Sequence, residues 1–76
     1  MPTVLRFANI RIAVYPNDHP PAHVHVIAPD WEIVINVDDM SLRETFGCAE
    51  HEAQRILRLL SPHRNALLEA WGKYHA

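Results

Sequence analysis

The sequence predicts a small α+β domain of two layers, an antiparallel sheet of about four strands with a C-terminal helix packed on one face. Three observations lead there. Apolar residues alternate with period two through residues 3–37 and recur at helical spacing through residues 49–75. Strands and helix are segregated along the chain, which argues against a parallel sheet of β-α-β units. The 76 residues form one domain, residues 1–76, with a single core, because folding at this size buries only about 62% of the unfolded surface. Doubly wound nucleotide binders and TIM barrels are excluded by length alone.

Each element follows from local chemistry. Val4-Leu5-Arg6-Phe7 and Ile10-Arg11-Ile12-Ala13-Val14-Tyr15 alternate apolar residues with arginines around Ala8-Asn9, a hairpin signal. Pro16-Asn17-Asp18 breaks the second strand. After Pro20-Pro21, the run Ala22–Ala28 alternates, with Val24 and Val26 on one face and His23 and His25 on the other. Pro29-Asp30 turns the chain into Trp31–Val37, whose Trp31, Ile33, Ile35 and Val37 share a face, and Asp38-Asp39 ends that strand. The face with Val24, Val26, Trp31, Ile33 and Ile35 lies under the helix. The opposite face shows His23, His25, Glu32, Asn36, Arg11 and Tyr15.

The segment Met40–Gly47 fits a short helical turn or an irregular connection. From Ala49 to Tyr74 the apolar positions Ile56, Leu60, Leu67 and Trp71, with Leu59 and Leu68 beside them, keep helical phase across Ser61-Pro62. That phase favours one helix kinked at Pro62 over two helices with Ser61 as N-cap and Pro62 at the first position.

Composition narrows the function classes. With 49% hydrophobic and 21% charged residues the chain is globular rather than disordered. Cys48 stands alone, so no internal disulfide forms and a reducing cytoplasm suits the chain. No apolar run approaches the roughly 20 residues of a membrane span, and Arg6 and Arg11 fall where a signal peptide would be apolar. The expected location is cytoplasmic, without membrane contact. The net charge of −2 conceals segments of +1 over residues 1–29, −6 over 30–52 and +3 over 53–76. That total does not announce a nucleic-acid binder, yet the two ends can present local basic surface.

The segment His19-Pro20-Pro21-Ala22-His23-Val24-His25-Val26 is the one stretch that folding alone does not explain. Histidines two apart on a strand project from one face with Cβ atoms about 6.5–7 Å apart, and each imidazole exchanges protons near neutral pH. Three functions fit. Two imidazoles act as general base and general acid in metal-independent RNA cleavage, with Arg6 or Arg11 stabilising the phosphorane. Alternatively His23 and His25 hold zinc with His19 or Glu32 as a further ligand. In the third, the histidines decorate a solvent-facing strand or a protein interface. Histidine-triad hydrolases also carry His-x-His-x-His on a strand, but Ile27 occupies the third position here.

Other residues carry structural explanations. Trp71 and Tyr74 share helical spacing with Leu67 and belong to packing before base stacking. Arg55, Arg58 and Arg64 form no single-face stripe and solvate the helix. Asp38 and Asp39 are turn formers before they are cation ligands. Cys48 has no catalytic partner nearby in the sequence and is read as inert.

Met1-Pro2-Thr3-Val4-Leu5-Arg6, the His19–Val26 segment and Leu67-Leu68-Glu69-Ala70-Trp71 together resemble the domain of unknown function 4160 family of small prokaryotic proteins. Members of that family resemble the toxin half of type II toxin–antitoxin pairs, encoded beside a second small protein that looks like the antitoxin. The resemblance implies a toxin with a cognate antitoxin-like partner and carries over His19, His23 and His25 as the functional centre; ribonuclease action there, with Arg6, Arg11 and Tyr15 binding RNA, is the reading that the residues add. No cofactor is required on that reading. A non-enzymatic binding module, an antitoxin-like partner and a small zinc-binding domain are the alternatives, and an uncovered edge strand leaves homodimerisation open. Two departures from the family pattern stand out. Ala49 replaces the Ser or Thr that caps the helix three residues before Glu52, and Pro62 interrupts a stretch that relatives run through without proline.

Overall fold

The computed structural model of the chain describes residues 3–75. Met1, Pro2 and Ala76 lie outside the described residues, and with them the first two positions of the opening motif. The alternating first half becomes β1 (Thr3–Phe7), β2 (Ile10–Ala13), β3 (His23–Ile27) and β4 (Glu32–Asn36), and a fifth strand follows, β5 (Ser41–Phe46). All neighbours pair antiparallel in the order β1-β2-β3-β4-β5. The architecture is the α+β one expected, with five strands rather than about four. Met40–Gly47 is neither helical nor irregular over most of its length. Its strand character comes from pairing with β4, and its mostly polar residues suit an exposed sheet edge.

Hairpin geometry explains the turns. Ala8 and Met40 adopt φ of 52° and 53° at the β1–β2 and β4–β5 connections, a left-handed conformation that non-glycine residues enter at a cost. Gly47 leaves β5 at φ 74°, and a Cβ there would meet the Asp30 carbonyl oxygen at 3.3 Å. The β4–β5 register shifts between Val34 and Ile35, where one step along β4 matches two along β5. Arg43 is the extra residue of this bulge.

The helical half is one continuous path in three pieces: α1 (Glu50–Leu60), a single 3-10 turn at Ser61–His63, and α2 (Arg64–His75). The single kinked helix favoured by phase therefore becomes two α-helices joined by a tighter turn. Pro62 causes the change, since it offers no N–H and fits the first positions of a helical turn. Ala49 occupies the N-cap of α1 without a side-chain hydrogen bond, while Glu50 and Glu52 favour the positive helix start. Arg64 fastens the start of α2 to the end of β4, donating from Nη2 to the Asp38 carbonyl at 2.7 Å and from Nε to the Val37 carbonyl at 3.1 Å.

The core lies between helices and sheet. Ile12, Val24, Val26, Ile33 and Ile35 come from one sheet face and are sealed from solvent with Ala53, Ile56 and Leu60 of α1 and Leu67 of α2. Each such large side chain contributes about 1.5–3 kcal/mol by leaving water. Trp31 is only partly buried at the margin of this cluster. No described helix is long and apolar enough to cross a membrane.

Candidate functional site

The second sheet face holds the chemistry. Cross-strand pairing puts Arg6 opposite Arg11, Ala13 opposite His25, His25 opposite Val34, and His23 opposite Asn36. Side chains in register share a face, so Arg6, Arg11, His23 and His25 look out on one side, as their alternation requires. That side is not open. His23 is buried, because Trp71 of α2 lies 5.2 Å from its ring.

Asp18 completes the centre. It belongs to the turn after β2, where its N–H donates to the Tyr15 carbonyl at 3.0 Å, and the connection folds its carboxylate back over β3. Asp18 Oδ2 stands 3.0 Å from His23 Nε2 and 2.8 Å from His25 Nε2. Among the described residues, Asp18, His23 and His25 bring one donor atom each to within 4.8 Å of one another. Side-chain exposures of 7% for His23, 14% for His25 and 27% for Asp18 leave the carboxylate the most accessible of the three groups.

The remaining ring nitrogens are held from behind. His23 Nδ1 lies 2.8 Å from the Pro21 carbonyl and 3.1 Å from Arg43 Nη1. A carbonyl only accepts and a guanidinium only donates, so one nitrogen cannot satisfy both. The Pro21 contact is shorter and rests on fixed backbone, whereas Arg43 is an exposed side chain, so Nδ1 carries the proton. His25 Nδ1 faces Glu32 Oε2 at 3.1 Å, again an acceptor, and takes a proton as well. Both Nε2 atoms are thereby turned toward Asp18. The bulge at Arg43 aims its guanidinium at this same cluster.

Burial alone would push the Asp18 carboxyl up. The hydrogen bond from His25, the charges of His25 and His23, and the hydrogen bond from His23 outweigh that and hold it below the ordinary carboxylate value. Tyr15 packs edge-on against His25 with centroids 4.1 Å apart. Burial raises its phenol, the charges of Glu32 and Asp18 add to this, and Arg11 opposes it. At the far side His75 stacks on Trp71 at 3.6 Å, and its Nε2 faces the Asp18 main-chain carbonyl at 3.1 Å. The last turn of α2 thus closes over the turn that carries Asp18.

Sequence reasoning found part of this. His23, His25 and Tyr15 come together as expected, and Arg11 pairs with Arg6 on the same face. His19 is exposed and lies outside the converging group. For a metal reading, the converging third group is Asp18 rather than His19 or Glu32, and Glu32 instead buttresses His25 from behind. Asp18 and Arg43 were missed: the one looked like ordinary turn chemistry, and the other is placed by a bulge that no local motif announces.

The family model described as Domain of unknown function (DUF4160) matches residues 9–72. The chain belongs to this family. Neither among curated proteins nor among solved structures was a match found. The DUF4160 match spans Asp18, His23, His25, Glu32, Arg43 and Trp71, so the centre and its supports fall inside the matched region, while Arg6 and His75 lie beyond it.

Proposed function

We propose that this DUF4160 protein is the toxin half of a type II toxin–antitoxin pair and cleaves RNA at the Asp18–His23–His25 centre. The observation that supports this best is the convergence of two imidazole Nε2 atoms on one carboxylate oxygen, at 3.0 and 2.8 Å, with a guanidinium alongside. An RNA phosphate binds against the two rings, whose Nε2 atoms the Asp18 carboxylate orients and keeps together. One imidazole then accepts the 2′-hydroxyl proton as that oxygen attacks phosphorus, and the other protonates the departing 5′-oxygen. Arg43, 3.1 Å from the His23 ring, stabilises the charge on the phosphorane. Arg6 and Arg11 extend the positive face along the strand, and Tyr15 offers an aromatic edge for a base. His19 is exposed and contacts substrate rather than moving the proton.

The partner on this reading is the antitoxin-like neighbour. Asp30, Asp38, Asp39, Glu44 and Glu50 are exposed, and with the edge strand β5 and its exposed Phe46 they favour a basic partner laid along that edge. Induced expression of the chain alone arrests growth and fragments transcripts, co-expression with the neighbouring protein restores growth, and His25→Ala abolishes both effects. A harmless wild-type chain that nonetheless forms a stable complex with the neighbouring protein would instead establish the non-enzymatic binding module.

A further inference from the structure

We infer that Asp18, His23 and His25 bind one divalent cation of the zinc class through Asp18 Oδ2 and the two histidine Nε2 atoms. The inference concerns the same centre but does not rest on the RNA reading, and the two describe different states of it, because an Nε2 atom that holds an ion cannot also take or give a proton. Three features of the site lead to it.

The first is the arrangement behind the rings. Metal-ligating histidines characteristically give their second ring N–H to a backbone carbonyl or a carboxylate, which fixes the tautomer and aims the free nitrogen at the ion. Here the Pro21 carbonyl at 2.8 Å does this for His23, and Glu32 Oε2 at 3.1 Å does it for His25. Both rings, arriving from positions two apart on β3, are set to offer Nε2 as a ligand.

The second is distance. Zinc–nitrogen and zinc–oxygen bonds of about 2.0–2.2 Å in a tetrahedron place neighbouring ligand atoms roughly 3.3 Å apart. The observed separations of 3.0 and 2.8 Å to Asp18 Oδ2 need only a few tenths of an ångström of spreading, available from a carboxylate on a turn.

The third is charge. Asp18 and Glu32 bring two carboxylates to the two rings against the single guanidinium of Arg43, so the side chains around the rings carry net negative charge that a divalent cation offsets. Two nitrogens and one oxygen suit zinc or its substitute cobalt rather than magnesium, which prefers oxygen alone. Three protein ligands leave a position for water or a substrate oxygen, the arrangement of catalytic rather than structural zinc.

The test uses the full chain without a histidine tag and titrates it with zinc and with cobalt(II) as probes, by calorimetry and visible absorption. One ion per chain is expected, with a cobalt spectrum of nitrogen and oxygen ligands and no thiolate band. Asp18→Ala and His25→Ala weaken binding by roughly 100-fold or more, and Glu32→Gln, which keeps its shape, by about 10-fold. His51→Ala, at an exposed α1 histidine, leaves binding unchanged. No stoichiometric uptake, or equal affinity in wild type and Glu32→Gln, overturns the assignment even where His25→Ala fails to fold. A chain that binds the ion yet is harmless sinks only the RNA reading, and a toxic chain that takes up no ion sinks only this one.

Discussion

Trp71 and His75 stack one helical turn apart, with ring centroids 3.6 Å apart and planes 12° from parallel, and Trp71 also meets the His23 ring at 5.2 Å. The end of α2 is therefore part of the site. His75 Nδ1 faces the Trp71 carbonyl at 2.8 Å while Nε2 faces the Asp18 carbonyl at 3.1 Å, so the ring ties the helix end to the turn carrying the carboxylate. Replacing it by alanine (His75→Ala) should lower unfolding stability by about 1 kcal/mol, the worth of a typical hydrogen bond. It should also speed amide exchange in the last turn of α2. Denaturant titration with Trp fluorescence and hydrogen exchange measure the two effects, and unchanged exchange there would contradict the tie.

Leu67 is the buried contact that brings α2 onto the sheet, whereas Leu59 on α1 is 38% exposed and lies outside the core cluster. Leu67→Ala leaves a cavity in a close-packed core and should cost about 2–5 kcal/mol. Leu59→Ala should fall within about 0.5 kcal/mol of wild type. Equilibrium unfolding in urea separates them, and similar losses in both would mean that α2 is not docked through Leu67.

The α1 start is under-capped. Ala49 has the extended backbone of an N-cap residue but offers no acceptor to the first turn, and Glu52 stands three positions on. Ala49→Ser supplies the missing half of the capping box and should raise stability by about 1 kcal/mol, seen as a higher urea midpoint at unchanged slope. A lower midpoint would show that the Ala49 backbone does not accept a capping side chain.

These elements show what was legible in the chain and what was not. The period-two pattern of Val24, Val26, Ile33 and Ile35 was enough to orient the sheet under the helix, because one buried face fixes strand register. The same logic put His23 and His25 on the other side. It did not reveal β5, whose Ser41-Leu42-Arg43-Glu44-Thr45-Phe46 has little apolar alternation and owes its conformation to β4. Nor did it reveal Asp18, whose position depends on a turn folding over a strand that follows it. Pro62 marks a disturbance of the helix in the sequence, but helical phase alone does not specify that it takes the form of one 3-10 turn. Local pattern encodes faces, and contacts between separate segments encode the site.

Burial, with the charge of Glu52 adding to it, pushes the Cys48 thiol above its ordinary value. A raised thiol is less ionised at neutral pH, and the thiolate is the reacting form. Iodoacetamide should therefore alkylate Cys48 more slowly in the folded chain than in urea, with the folded rate still climbing at pH values where an ordinary thiol has levelled off. A folded rate equal to the unfolded one would contradict the environment described for Cys48.

On the proposed function, Asp18, His23 and His25 together form the centre that acts on RNA. Growth and transcript integrity after induction test it most directly, comparing wild type with Asp18→Asn and with His51→Ala at equal folded protein levels. Growth arrest and cleaved transcripts are expected for wild type and His51→Ala, and normal growth with intact transcripts for Asp18→Asn. Arrest by Asp18→Asn as strong as by wild type would contradict it.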